Sequence, residues 1–267
     1  MIILPKGLSG SELIKYLVTN KQDLIELKKA AVKFADPFLI DSLPVNTLVS
    51  KVASSANDTD SEIKRTIVGN TYNWLDSHGD VHLNGCFKDS LNQKGDRVRH
   101  LHDHVYQLSA KVGIPSKVYE KYIAWTDLGV NKIGQTQALM MDTLIKRSLN
   151  EPIFEGYKSG EIDQHSVGMR YISIKLAANN PDYKEEYAEW LKHIDSIGNK
   201  EKAEEIGYFW AVKEAALIEI SCVLEGSNEL TPMLDPSKGS QSTVADPPSG
   251  SQETQVKTIL DYLVCQE

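Results

Sequence analysis

The fold and function are inferred from the stretch Gly160-Glu161-Ile162-Asp163-Gln164-His165-Ser166-Val167-Gly168-Met169-Arg170-Tyr171-Ile172-Ser173-Ile174. Its first residues, with Gly160 and Asp163, have the composition of a tight turn. Its second half alternates and is rich in β-branched and aromatic residues, which predicts a strand entered from a loop. Ser166 lies at that junction, and Gly168 would allow a substrate backbone to approach closely. This pattern fits an ordinary serine at a strand start as well as a nucleophile.

The composition and net charge limit the classes of protein to which this chain can belong. The 267 residues are 41% hydrophobic and 25% charged, as in soluble globular proteins, and they are enough for one large core or two small ones. A net charge of -8 disfavours nucleic acid or an anionic membrane as the main partner. No apolar run approaches the roughly 20 residues of a membrane span, and the first residues do not have the order of a signal peptide. Cys86, Cys222 and Cys265 are scattered, so we expect free thiols in a reducing cytoplasm.

Three regions follow from the pattern along the chain. Residues 1–60 are predicted to be an N-terminal helical arm and linker, helical to about residue 36 with a second helix from about Asn20, and with a polar linker over 54–62. Residues 61–232 form the main domain, and residues 233–267 have the composition of a flexible, disordered tail that ends in a short helix near 256–264.

Within the main domain, the predicted strands cover 63–74, 97–102, 118–125 and 208–224, and a short helix follows Cys86. Residues 135–149 are predicted to be helical, because Ala138, Met141, Leu144 and Leu149 fall at helical spacing. Residues 180–206 carry many charges and helix-spaced aromatics, which predicts a helical insertion.

Histidines are concentrated in Arg99-His100-Leu101-His102-Asp103-His104, which holds three of the seven in the chain. On a strand, His100, His102 and His104 share one face. A metal site is one explanation, but the run is one residue shorter than the corresponding run of metallo-β-lactamases and has no convincing further ligands. A general base with a pKa near neutrality is the second explanation, and a solvated strand end is the third.

Glu219 is the single charge inside the apolar run from Ala216 to Leu224. A buried carboxylate is costly unless it is paired, and an imidazole N–H would both satisfy it and be oriented by it. A solvated strand face is the alternative explanation for Glu219.

Taken together, these stretches resemble the tailed-phage prohead proteases, the capsid-maturation serine peptidases related to herpesvirus assemblin. Four segments carry the resemblance, in order. They are Trp74–Val81 with Gly85–Phe87, His100–Gly113, Gln164–Met169, and Leu217–Val223 with Gly226–Pro232. They are similar to the family's segments around an early Asp-Gly-Asp, the catalytic histidine, the nucleophilic serine and the Glu-x-Ser ending.

The resemblance implies a role for each matching residue. Ser166 would be the nucleophile, His104 the general base and Glu219 the third member of the triad. His102, which is followed by Asp103, is the alternative base. Arg170 and the backbone near Gly168 are candidates for stabilising the oxyanion.

The family fold is α+β, with a β-barrel core surrounded by helices, as in assemblin. The implied activity is that of a serine endopeptidase that needs no cofactor and no metal. Its substrates would be the scaffold and the major capsid protein, and itself, inside the assembling procapsid in the host cytoplasm. A homodimer is expected from relatives, and no direct contact with nucleic acid or membrane is expected. The alternatives are a non-catalytic capsid-assembly protein of the same fold and a metal-dependent hydrolase that uses His100, His102 and His104.

Overall fold

The computed structural model describes residues 8–31 and 58–234, and within these ranges the chain is an α+β protein built on one large sheet. The helices are α1 (Gly10–Thr19), α2 (Lys21–Ala30), α3 (Lys88–Lys94), α4 (Glu151–Ser159), α5 (Lys184–His193) and α6 (Lys200–Ile206). The strands are β1 (Glu62–Thr71), β2 (Asp80–His82), β3 (Arg99–His102), β4 (Lys111–Ala124), β5 (Gln135–Lys146), β6 (His165–Ala178), β7 (Tyr208–Cys222) and β8 (Met233–Leu234).

Strand β7 organises the sheet. It pairs antiparallel with β6 along almost its whole length, while β2 and β3 pair with it in parallel at its other edge. From β3 the sheet continues through β4, β5 and β1 to β8. The predicted strands at 63–74, 97–102, 118–125 and 208–224 are confirmed, as is the strand that carries Ser166.

The expected barrel is not closed. Within the described residues, β6 pairs only with β7, and the two-residue β8 pairs only with β1, so each of these strands leaves an open edge of the sheet. Closure would require hydrogen bonds between the first and last strands. The sheet instead curls around a shared core, and a Cβ on Gly69 of β1 would lie 2.8 Å from the side chain of Ile220 on β7. Side-chain packing therefore joins strands that lie near the two ends of the sheet.

The predicted helix over 135–149 is wrong, because this segment forms β5. Strand β5 lies between β1 and β4 and is covered on both faces, so Ala138, Leu139, Met140 and Met141 are all almost fully buried. A strand buried on both sides has a continuous apolar run rather than an alternating one, and such a run also contains helical spacings.

Helix α4 was not predicted, although its ends carry clear signals. Asn150 caps its start by accepting a hydrogen bond from the backbone N–H of Ile153 at 3.3 Å, and Gly160 ends it in the left-handed conformation. The helix places Phe154 and Tyr157 in the core beneath β6.

The N-terminal helices pack on the same core as the sheet. Ile14, Leu17 and Leu24 are buried in it, and Lys28 of α2 forms an ion pair with Asp80 at 2.7 Å. The two predicted N-terminal helices and the helical insertion at 180–206, which forms α5 and α6, are confirmed.

Three predictions fall wholly or partly outside the described residues. These are the first part of the 54–62 linker, the tail beyond Leu234 with its helix near 256–264, and Cys265. Cys86 and Cys222, which are described, are buried free thiols.

Candidate active site

The face of the β6–β7 pair that points away from the main core carries a line of small and polar side chains. Ser166 lies opposite Ser221, and Gly168 lies opposite Glu219. Residues directly opposite in an antiparallel pair share a face, and residues two apart on a strand share it as well. Ile220, between Glu219 and Ser221, points the other way into the core. Four positions from two strands therefore meet on one face of the sheet.

Glu219 is fully buried, and its carboxylate is bonded at both oxygens. His104 Nδ1 donates to Oε1 at 2.6 Å, and Ser221 Oγ donates to Oε2 at 2.5 Å. The glycine at 168 leaves room for this carboxylate, since a Cβ there would lie 3.1 Å from Cδ of Glu219 and collide with Oε1. The single charge in the apolar strand is thus paired with an imidazole, which offsets the cost of its burial.

His104 stands on a strained turn that follows β3. Asp103 and His104 have φ angles of 51° and 56°, in the left-handed region that costs residues with a side chain about 1–2 kcal/mol each. The turn is tied to β7, because Asp103 N donates to Cys222 O at 3.0 Å and His104 N donates to Ser221 Oγ at 3.2 Å. These hydrogen bonds hold the turn in its strained conformation, and this conformation directs the imidazole of His104 towards Glu219.

Ser166 is 6% exposed and lies directly opposite Ser221 across the strand pair. His104 bonds to Glu219 through Nδ1 and to the same Ser221 through its backbone N–H. Nδ1 of His104 is committed to Glu219, which leaves Nε2 as the ring nitrogen that can accept a proton from a nucleophile. In enzymes without substrate, contacts between nucleophile and base are often longer than a hydrogen bond.

The other two histidines of the cluster point away from Ser166. His100 and His102 lie opposite Ile220 and Cys222, which puts them on the core side of the sheet. His102 Nδ1 pairs with Asp103 at 2.9 Å. The structure thus brings His104, and neither His100 nor His102, to the face that carries Ser166.

His100 belongs to a buried polar network. Its Nε2 bonds to Tyr157 at 3.0 Å, and the same Tyr157 hydroxyl bonds to His165 at 2.9 Å. Burial lowers the pKa of His100 to about 3 and that of His165 to about 4, so both rings are neutral at physiological pH. This network gives His100 a structural role, which the sequence alone did not assign to any histidine of the cluster.

Among the described residues, the group of possible metal ligands whose donor atoms converge is Asp76, His78 and Asp80, within 4.8 Å of one another. The hydrogen bonds of the carboxylates explain this cluster. Oδ1 of Asp76 accepts from the backbone N–H of Asp80 at 2.9 Å, while Asp80 itself pairs with Lys28 and accepts from the hydroxyl of Tyr171. Lys28 supplies the positive charge that compensates Asp80.

Two further features lie outside this group of residues. Arg170, a predicted oxyanion candidate, is exposed on β6 two residues beyond Gly168 and lies opposite Ala216. A surface cavity of about 220 Å³ adjoins the turn and is lined by Arg99, Leu101, Tyr106, Gln107, Leu108 and Lys111. Arg99 and Leu101 lie opposite Glu219 and Ser221 on β7, so the cavity opens on the same side of the sheet as the polar face.

Sequence reasoning missed Ser221 as a member of this group. The available signal was its spacing, since a residue two positions after Glu219 on a strand must share its face.

A scan of protein-family models and searches of curated proteins and of solved structures each found no match to this chain. In the described part of the chain, no helix combines the length and apolar character that crossing a membrane requires.

Proposed function

We propose that this protein is a serine endopeptidase with Ser166 as nucleophile, His104 as general base and Glu219 as the residue that orients the imidazole. One observation carries the proposal. A fully buried carboxylate holds the Nδ1 side of a histidine at 2.6 Å, beside the strand that presents Ser166. A carboxylate in this relation to an imidazole fixes its tautomer and stabilises the imidazolium that forms when the serine is deprotonated.

The proposed reaction follows from these roles. Ser166 Oγ attacks the carbonyl carbon of the scissile peptide, and Nε2 of His104 accepts the hydroxyl proton. The tetrahedral intermediate collapses as His104 returns that proton to the leaving amine, which leaves an acyl group on Ser166. Water, deprotonated by the same imidazole, releases the acid and restores the serine. Backbone N–H groups near Gly168, together with Arg170, are proposed to stabilise the oxyanion.

The biological setting is proposed from the sequence resemblance. The four segments similar to tailed-phage prohead proteases support a role in capsid maturation, with the scaffold, the major capsid protein and the protease itself as substrates inside the procapsid. We propose that the fold is related to that of herpesvirus assemblin, with a sheet that curls but stays open at β6 and β8.

The test is co-expression with candidate capsid and scaffold proteins from the same genome, followed by mass spectrometry of the products. The wild-type chain should cleave them, and Ser166→Ala should not. Ser173→Ala removes another serine from the same strand and should leave cleavage unchanged. A fluorescent phosphonate should label the wild-type protein at Ser166, and the label should be lost in His104→Ala.

Three results would separate the alternatives. Wild-type cleavage that survives Ser166→Ala would overturn the proposal. Cleavage that stops with a chelator and returns with zinc would favour the metal-dependent hydrolase. Shell assembly that needs the protein but proceeds normally with Ser166→Ala, without any cleavage, would favour a non-catalytic assembly protein.

A further inference from the structure

Ser221 lies at the point where the two supports of the candidate base meet. It is fully buried on β7, next to Glu219 along the same face and opposite Ser166 on the neighbouring strand. Its hydroxyl makes two hydrogen bonds at once: it donates to Glu219 Oε2 at 2.5 Å and accepts from the backbone N–H of His104 at 3.2 Å.

The two bonds act on different parts of the same pair. The bond to Glu219 fixes the rotation of the carboxylate, so that Oε1 points at His104 Nδ1. The bond from His104 N holds the turn in which Asp103 and His104 both adopt positive φ angles. A single hydroxyl therefore sets both the acceptor and the backbone that carries the donor.

We propose that Ser221 is a positioning residue for the His104–Glu219 pair and that it does not itself react with substrate. The consequence for catalysis rests on the proposed function, whereas the positioning of the imidazole does not. Ser221 donates to a carboxylate that bonds His104 at its other oxygen, so its hydroxyl is used to orient that carboxylate. Ser166 stands across from it without a role in that arrangement.

The first measurement needs no enzymatic activity. A proton held between His104 Nδ1 and Glu219 should give a low-field imidazole resonance in the proton NMR spectrum, assigned by its loss in His104→Gln. Ser221→Ala should shift or abolish this resonance in a folded protein, and Ser221→Thr, which keeps the hydroxyl, should restore it.

Ser90→Ala is the matched control, because Ser90 Oγ also accepts a hydrogen bond from a backbone N–H of β7, that of Leu217 at 2.9 Å, whereas the hydrogen bonds described for Glu219 and His104 do not involve Ser90. It should leave the resonance unchanged.

The second measurement is kinetic. Misplacing a catalytic group by about 1 Å can cost on the order of 10²-fold in rate, so Ser221→Ala should lower kcat by about 10–10²-fold. KM should stay within about twofold, because Ser221 is fully buried and the substrate does not touch it. Ser221→Thr should recover most of kcat, and Ser90→Ala should match the wild type.

The outcomes are distinguishable. An unchanged resonance and unchanged kcat in folded Ser221→Ala would overturn the inference. Phosphonate labelling that depends on Ser221 rather than Ser166 would also overturn it, since Ser221 would then be the nucleophile. If Ser221→Ala does not fold, Ser221→Cys is the variant to measure. Its weak S–H donor should shift the imidazole resonance by an intermediate amount. An unaltered resonance in this variant would count against the inference. A protein without protease activity whose resonance responds as predicted would retain the positioning role and lose only the proposed function.

Discussion

Gly168 determines how closely β6 can approach the buried carboxylate of Glu219. The two residues are directly opposite across the antiparallel pair, and Cγ and Cδ of Glu219 lie 3.2 and 3.1 Å from the place where a Cβ on Gly168 would stand. These two atoms are held in place, because the carboxylate of Glu219 is bonded to His104 and Ser221. The side chain of Glu219 therefore has to move if residue 168 gains a methyl group.

We expect Gly168→Ala to displace the carboxylate and break its bond to the His104 imidazole. The proposed peptidase should lose at least about 10²-fold in kcat, since catalytic groups tolerate little misplacement. The measurement is steady-state cleavage of a peptide taken from a mapped cut site.

Gly95→Ala is the control for this experiment. A Cβ at Gly95 would meet only Leu91, at 3.8 Å, which is an ordinary contact. Full activity in Gly168→Ala, with the low-field imidazole resonance unchanged, would show that the carboxylate does not depend on this glycine.

At the residue scale, the sequence offers two explanations for Glu219, an imidazole partner and a solvated strand face, and the structure shows the first. A lone carboxylate in an apolar strand needs a partner, and the structure supplies the imidazole of His104. The conformation of the turn could not be predicted in the same way. Asp103 and His104 adopt positive φ without a glycine, and this depends on hydrogen bonds to β7, which is distant in the sequence.

At the scale of elements, the network of His100, Tyr157 and His165 joins β3, α4 and β6 through one hydroxyl. Both histidines are fully buried, and the pKa of each is lowered mainly because burial disfavours the charged ring. Their neutral forms are therefore part of the folded structure, and protonation opposes folding.

This network predicts a loss of stability in mild acid. In the unfolded chain both histidines titrate near pH 6.5, whereas in the folded chain they titrate at about 3 and about 4. Between these values the unfolded state binds more protons, so the free energy of unfolding falls as the pH is lowered from about 6.5 to 4. Each histidine contributes a slope of up to about 1.4 kcal/mol per pH unit.

Urea unfolding of the wild type and His165→Gln across this range measures the effect. The variant should lose one histidine's share of the slope, whatever its absolute stability. Above pH 7 both rings are neutral in either state, so the two proteins should show parallel pH dependence there. Equal slopes between pH 4 and 6.5 would contradict the assignment of the network.

Some helices and strands can be predicted from their own residues, whereas others depend on partners that are distant in the sequence. Strand β7 and the second half of β6 carry β-branched or aromatic residues, and they were identified from sequence. Strand β5 was not, because its two faces are buried in two different core clusters while β1 and β4 pair with its edges, and all of these partners are non-local. Helix α4 was missed despite its Asn150 cap and Gly160 stop, which are local signals.

For the molecule as a whole, the sheet ends at a very short strand. Met233 and Leu234 of β8 pair with Ile67 and Thr66 of β1, and Met233 is 4% exposed within the main core. The expected domain end at residue 232 is thus two residues short of the last described contribution to the core. The composition of the segment beyond Leu234 cannot supply a further apolar core.

We therefore predict a sharp difference between two truncated chains. A chain that ends at Leu234 should unfold with the free energy of the full chain, within about 0.5 kcal/mol, because surface changes away from packed features cost little. A chain that ends at Pro232 should lose about 2–5 kcal/mol, the range for deleting a buried methionine side chain, since Met233 no longer fills the core.

Full-length Met233→Ala should reproduce most of that loss and separates core packing from chain length. Urea denaturation of the four proteins measures these differences. A loss of stability already present in the chain that ends at Leu234 would assign a structural role to the acidic, Ser-, Pro- and Gly-rich tail, whereas two equally stable truncations would show that β8 does not hold the edge of the sheet.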